Sequence, residues 1–212
     1  MLRSIAAQFA ASAIVLFARL VTAVRGIWFG ADPVNRQRVY FANHGSNGDF
    51  VLIWTVLPPV LRAKTRPVAG SDYWLTSKLK TFIGRDVFNA VLIDRNPDTR
   101  TEDPIAQMVE ALDGGASLIL FPEGTRNLTD DPLLPFKPGL FHLAEARPEV
   151  ELVPTWIDNL TSVMPKGEVI PVPLLCSVTF GTPLTIQKGE NKATFLTRAQ
   201  SALAELAEEA AT

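Results

Sequence analysis

A single cysteine in 212 residues, Cys176, leaves no internal disulfide and no Cys-rich metal site, which fits a reducing compartment. Two histidines, His44 and His142, are too few for a histidine-based metal centre. The G-x-S-x-G turn that lifts a serine nucleophile from an α/β sheet is absent. Cys176 sits in an apolar run with no basic partner beside it in sequence, so nothing there favours a reactive thiolate. Long apolar runs are lacking too: only fifteen uncharged residues separate Arg3 from Arg19, short of the ~20 that cross a bilayer. No repeat, low-complexity tract or linker divides the chain, and its length suits one domain with a proper core.

What is present is unevenly spread. The net charge of -2 conceals a basic half and an acidic half. Residues 1–100 carry 13 Lys+Arg against 6 Asp+Glu, a balance of +7, and the remainder carries 7 against 16, or -9. Arg62, Lys64, Arg66, Lys78, Lys80 and Arg85 make the basic half a candidate to meet phosphate, a membrane surface or nucleic acid, or to form a solvated face.

The amino-terminal stretch LRSIAAQFAASAIVLFARLVTAVRGIWFG places Ser4, Gln8, Ser12, Arg19 and Thr22 on one side of a helical wheel. Ile5, Phe9, Leu16, Leu20 and Ile27 fall on the other. This pattern predicts an amphipathic helical segment over residues 1–30 that lies in the membrane interface, ahead of a domain spanning 31–212. A true span or a removed signal peptide is the alternative.

Beyond it, short apolar runs alternate with helical patterns. RVYFAN (38–43), NAVLIDR (89–95), ASLILFPEGTR (116–126), VELVPTWI (150–157) and LLCSVTFGTPL (174–184) read as strands. DFVLIWTVLPPVLR (49–62) reads as a buried helix with Asp49 at its N-cap and Pro58 near its end. TEDPIAQMVEALDGG (101–115), GLFHLAEAR (139–147) and KATFLTRAQSALAELAEEAA (192–211) read as further helices. The alternation predicts an α/β fold: a mixed, partly parallel sheet flanked by helices.

Three of these strands end in reactive residue types: His44 with Asp49, Asp94 with Arg95, and Glu123 with Thr125 and Arg126. Ligands of open α/β sheets bind at the carboxyl ends of parallel strands, so the three clusters are expected on one rim. A carboxylate on the imidazole Nδ1–H fixes the tautomer and leaves Nε2 as a base for a hydroxyl. The bland alternative makes Asp49 a helix cap and His44 a loop residue. Without a protein nucleophile, the attacking hydroxyl belongs to the substrate, and arginines suit a phosphate that it carries. Ser46, two residues from His44, keeps a serine lipid hydrolase open.

NHGSNGD, IDR, FPEGTR and VPTWI, in this order and spacing, resemble the four blocks of the glycerophospholipid acyltransferases, of which 1-acyl-sn-glycerol-3-phosphate acyltransferase is the type member. The resemblance runs from about residue 39 to 157, and it makes residues 31–212 an acyltransferase domain. It implies that His44 deprotonates a lysophospholipid hydroxyl, lysophosphatidic acid first among the acceptors, with Asp49 orienting it. The hydroxyl would attack an acyl-CoA or acyl-ACP thioester with no acyl-enzyme intermediate. Arg126 and Arg95 would hold the acceptor phosphate, Glu123, Gly124 and Thr125 would shape that site, and Pro154 would frame the pocket. Neither a cofactor nor a metal is implied. The partners are membrane lipid, acyl-CoA or acyl carrier protein, and the lysophospholipid, with no nucleic acid. The cytoplasmic face of a membrane is the implied location. Asn127, standing where a serine is common, and the glycine-rich loop after His44 depart from the pattern and leave the acceptor open. A non-catalytic lipid-binding module on the same scaffold is the reading from a different class.

Overall fold

The computed structural model describes residues 2–96, 98, 100–158 and 175–210. Within them a seven-stranded sheet forms from β1 (Arg25–Trp28), β2 (Arg38–Ala42), β3 (Thr65–Gly70), β4 (Val91–Ile93), β5 (Ser117–Leu120), β6 (Glu151–Asp158) and β7 (Ser177–Phe180). The strand order is β1-β7-β6-β2-β5-β3-β4, and every neighbouring pair is parallel except β6 with β7. The expected mixed, partly parallel α/β sheet is therefore present.

Side-chain alternation along the strands builds two cores, one on each face. On β2, Tyr40 and Ala42 face a cluster shared with Ile53, Leu57, Val153 and Phe180, beneath α1 (Leu2–Thr22) and α2 (Asp49–Val56). Val39 and Phe41 face the other cluster, with Leu118, Leu152 and Phe195, beneath α6 (Pro104–Asp113), α7 (Gly139–Ala146) and α8 (Lys192–Ala210). Helices on both faces make β2 buried at all five positions.

The amino-terminal segment is helical for less of its length than the pattern predicts. α1 ends at Thr22, Ala23 turns the chain with φ 42°, and Arg25–Trp28 then pairs in parallel with β7. Ile27 thus belongs to a strand rather than to the apolar side of a helix. Gly26 makes this fit, because a Cβ there would come within 3.2 Å of Val56 on α2. α1 packs through Ala7 and Ala18 and leaves Leu2, Phe9, Leu16, Phe17 and Leu20 exposed, which reverses the usual placement of large apolar side chains. It is long and apolar enough to cross a membrane by length and composition.

The helix expected over 49–62 is two helices. Leu57 takes an extended ψ of 136° before Pro58, as a residue preceding proline tends to do, and α3 restarts at Pro59–Arg62. Arg62 then folds back on α2, donating to the carbonyls of Trp54, Thr55 and Leu57 at 2.8–2.9 Å. These are carbonyls that a helix C-terminus leaves unpaired, so this arginine closes α2. Asp49 is likewise not the N-cap: Gly48 is, and Asp49 is the first helical residue.

Two further short helices, α4 (Ser71–Trp74) and α5 (Lys78–Phe82), continue into a π-helical turn at Ile83–Val87. They follow β3, which carries Arg66 and Pro67. Pro67 falls where pairing passes from β5 to β4, so its missing N–H is accommodated. Residue 174 of the last expected strand and residue 211 of the last expected helix lie outside the described residues.

Candidate active site

The parallel strands deliver their carboxyl ends to one edge. His44 lies two residues past β2, Glu123 three past β5, Arg95 two past β4 and Asp72 two past β3. The three expected clusters do share this rim.

His44 is pinned at three atoms. Its ring Nδ1 lies 2.8 Å from Asp49 Oδ2. Its backbone N–H donates to Glu123 Oε1 at 2.8 Å, and its carbonyl accepts from the Asn127 N–H at 2.6 Å. The ring also stacks on Phe121, with centroids 4.2 Å apart and planes at 19°. Asp49 is itself fixed: Oδ2 accepts from the Gly45 N–H at 2.8 Å and the Ser46 N–H at 3.0 Å, and its side chain is 3% exposed. An ionised carboxylate only accepts, so a hydrogen bond between it and the imidazole puts the proton on Nδ1 and the free lone pair on Nε2. The compact GSNG loop and the first turn of α2 thus hold the imidazole in one orientation. At 20% exposure the ring remains reachable from outside.

Glu123, expected to shape the phosphate site, is engaged at both carboxylate oxygens. It is 2% exposed, and its second oxygen accepts from the Leu134 N–H at 2.9 Å. Both oxygens therefore tie backbone to backbone, and the carboxylate is a positioning group. Burial pushes its pKa above the ordinary range, against the opposing pull of the Leu134 and His44 N–H donors. Glu123 and Asn127 bracket Gly124, Thr125 and Arg126, so the turn that carries the arginine is anchored at both ends to the backbone of His44. Gly124 holds φ +67°, and a Cβ there would meet the Lys137 stem at 2.6 Å, so this turn requires glycine.

Two clefts have His44 in their lining. One, of about 480 Å³, has Phe50, Val68, Trp74 and Leu120 among its apolar walls and Arg95, Thr125 and Arg126 among its polar ones. The other, of about 230 Å³, is polar, with Asn127, Thr129, Asp131 and Asp158. Among the described residues, no hydrogen bond or ion pair engages the Arg126 guanidinium, and the residue is exposed. Arg95 donates to the Asp72 carboxylate. Asp94 accepts from the Asn96 N–H and is not among the residues lining either cleft.

Other expectations sort as follows. Pro154 is buried in β6, opposite Phe41, and lines neither cleft. Ser46 Oγ accepts from the Gly48 N–H at 3.2 Å and forms no hydrogen bond with His44, so the nucleophile–base contact of a serine hydrolase is missing. Cys176 is buried, and burial pushes its thiol up to about 11. Among the described residues no cluster of His, Cys, Asp and Glu is arranged to hold a metal. His142, the second histidine, is exposed beside Glu145 on α7.

Sequence reasoning missed Phe121, which supports the imidazole, and Asp72. It also missed Asn43, whose side-chain amide bridges both backbone groups of Ile157 and fastens the end of β2 to β6. Phe121 opens the quoted FPEGTR, so its position was available. Asp72 follows a strand that the sequence concealed.

Comparison with known proteins shows the family and the fold. The family model described as Acyltransferase matches residues 30–158, which include His44, Asp49, Asp72, Arg95, Glu123 and Arg126. The 1-acyl-sn-glycerol-3-phosphate acyltransferase of Escherichia coli (strain K12) is 34% identical over 131 residues, covering 58% of this chain and 48% of that protein. The protein of the same name from Limnanthes douglasii is 30% identical over 149 residues, covering 68% and 50%. The chain spans about half the length of the curated relatives it matches. A solved structure, the 1-acyl-sn-glycerophosphate (LPA) acyltransferase PlsC from Thermotoga maritima, aligns over 99% of this chain and 83% of its own. Its TM-score is 0.71 at 21% identity, a likeness of fold. With its sheet, its pinned histidine and a family match over more than half its length, this chain belongs to the Acyltransferase family.

Proposed function

We propose that the protein transfers a fatty acyl group from an acyl thioester to the free hydroxyl of a lysophospholipid, with lysophosphatidic acid as the acceptor and phosphatidic acid as the product. The observation that carries this reading is the His44–Asp49 contact, with His44 lining two clefts and Arg126 and Arg95 lining one of them. In this reading Nε2 of His44 takes the hydroxyl proton while the acceptor oxygen attacks the thioester carbonyl. The tetrahedral intermediate collapses with cleavage of the C–S bond, and His44 returns the proton to the leaving thiolate. General-base assistance of this kind contributes typically ~10²–10⁴ in rate. Asp49 holds the productive tautomer, and Glu123 and Asn127 hold the histidine backbone. Arg126 and Arg95 bind the acceptor phosphate by charge-assisted hydrogen bonds. Acyl-CoA or acyl carrier protein supplies the thioester, and α1 holds the domain at the cytoplasmic face of a membrane through its exposed apolar side chains.

The test is thiol release from acyl-CoA and, in parallel, acyl-ACP, with and without lysophosphatidic acid, followed by the intact mass of the protein. Acceptor-dependent release with no acylated protein is expected. Acceptor-independent release with an acyl adduct at Ser46 contradicts the reading in favour of a hydrolase. Lysophosphatidic acid binding without release from either donor favours the lipid-binding module.

A further inference from the structure

One of the two arginines lining the larger cleft is already occupied. Arg95 Nη2 donates to Asp72 Oδ2 at 2.7 Å and to Oδ1 at 3.0 Å. Both side chains are exposed, 51% for Arg95 and 64% for Asp72, and both line the cleft with Arg126. The pair lies across Gly70, the last residue of β3, where a Cβ would come within 2.3 Å of Asp72 Oδ1 and 2.6 Å of Arg95 Nε. A strand end and a missing side chain therefore make the space for this contact. The hydrogen bond from Arg95 holds the Asp72 carboxyl below its ordinary range, so it is an anion at neutral pH. The cleft carries a resident negative charge where an entering acceptor would place its own.

We propose that Asp72 is an internal competitor for Arg95: it caps the guanidinium in the empty cleft, yields it to the phosphate of the acceptor, and recaptures it as product leaves. This inference rests on the reading of Arg95 as a phosphate ligand given above. Only ion-pair partners are exchanged, and no covalent bond changes. An exposed ion pair is worth up to about fivefold in an equilibrium constant. That is weak enough for a phosphomonoester, carrying about -1.5 to -2 charge, to displace the carboxylate. The competition also has a kinetic use. Acylating the hydroxyl leaves the phosphate unchanged, so unopposed arginines would grip product and acceptor alike. A carboxylate waiting beside Arg95 loosens both and favours release. Asp72 in this role tunes phosphate affinity and takes no part in the bond-making step.

The test uses glycerol 3-phosphate, which carries the phosphate without an acyl chain, as a binding probe. Its Kd is measured by calorimetry on the full chain for wild type, Asp72→Asn, Arg95→Ala and the double variant. Asp72→Asn is expected to tighten binding about two- to fivefold, and the gain should vanish once Arg95 is gone. An unchanged Kd in Asp72→Asn overturns the proposal. An equal gain in the Arg95→Ala background does so too, because it would mark a general charge effect. Absence of phosphate binding in all four proteins also overturns it. The same variants in the thiol-release assay keep the two ideas apart. If the Kd pattern holds with no turnover, the competition stands and the acyltransferase reading fails. If turnover is acceptor-dependent and the Kd pattern is absent, the reverse follows.

Discussion

Replacing Glu123 separates a positioning role from a substrate contact. Its carboxylate receives the backbone N–H groups of His44 and Leu134 at 2.8 and 2.9 Å from a site 2% exposed. Glu123→Ala leaves two half-buried donors without acceptors, each costing up to about 1–3 kcal/mol. Partial rescue by water at a loop keeps the expected loss near 2–4 kcal/mol, or a Tm lower by about 4–16 °C for a domain of this size. Because one of those donors is the His44 N–H, the histidine also shifts, and a displacement of about 1 Å costs on the order of 10² in kcat. The pH dependence follows from the raised Glu123 pKa. The folded state holds the proton more tightly than the unfolded chain, whose value is about 4.3. The stability that wild type gains over Glu123→Gln should therefore grow as pH falls from 7 toward 5. Calorimetric melts over that range, with steady-state kinetics on the same samples, measure both effects. An Ala variant with unchanged Tm and kcat but a raised acceptor KM would refute the positioning role and restore Glu123 as a substrate contact.

Arg126→Ala should raise the acceptor KM by about tenfold or more with a smaller change in kcat, since a charge-assisted hydrogen bond is worth roughly 1.5–3 kcal/mol. A KM equal to wild type in the same assay would remove its phosphate role. Phe180→Ala should cost about 3–5 kcal/mol and lower Tm by about 6–20 °C. That side chain is fully buried and stacks on Trp28 at 4.1 Å, so a melt within 2 °C of wild type would contradict the packing. Phe9→Asp with Phe17→Asp should lower partition into anionic vesicles by at least about 10², read by co-sedimentation, because both rings are exposed on α1. Unchanged partition would take α1 out of membrane binding.

The strands legible in the sequence were those rich in β-branched and aromatic residues, such as RVYFA and VELVPTWI, and they set the rim on which the site sits. β3 was hidden because Arg66 and Pro67 interrupt its run, although it occupies an interior place in the sheet. β1 was hidden because its residues continue an apolar stretch that reads equally well as helix. Residue types alone marked His44, Asp49 and Arg126 as candidates, because a base, its carboxylate and a guanidinium carry recognisable chemistry. The role of Glu123 was not legible, since only the fold shows that its two oxygens face backbone donors. Arg62 shows the same limit from the other side: a cation in a basic segment, it serves to close a helix.

The central claim is that His44 is the base for acceptor attack, and His44→Ala tests it most directly. The ring contributes one hydrogen bond and one stacking contact, while the backbone contacts to Glu123 and Asn127 do not need the side chain. The variant should therefore melt within a few degrees of wild type and bind the acceptor, yet lose at least ~10² in acceptor-dependent kcat. A folded His44→Ala protein that retains wild-type acceptor-dependent thiol release would contradict the account.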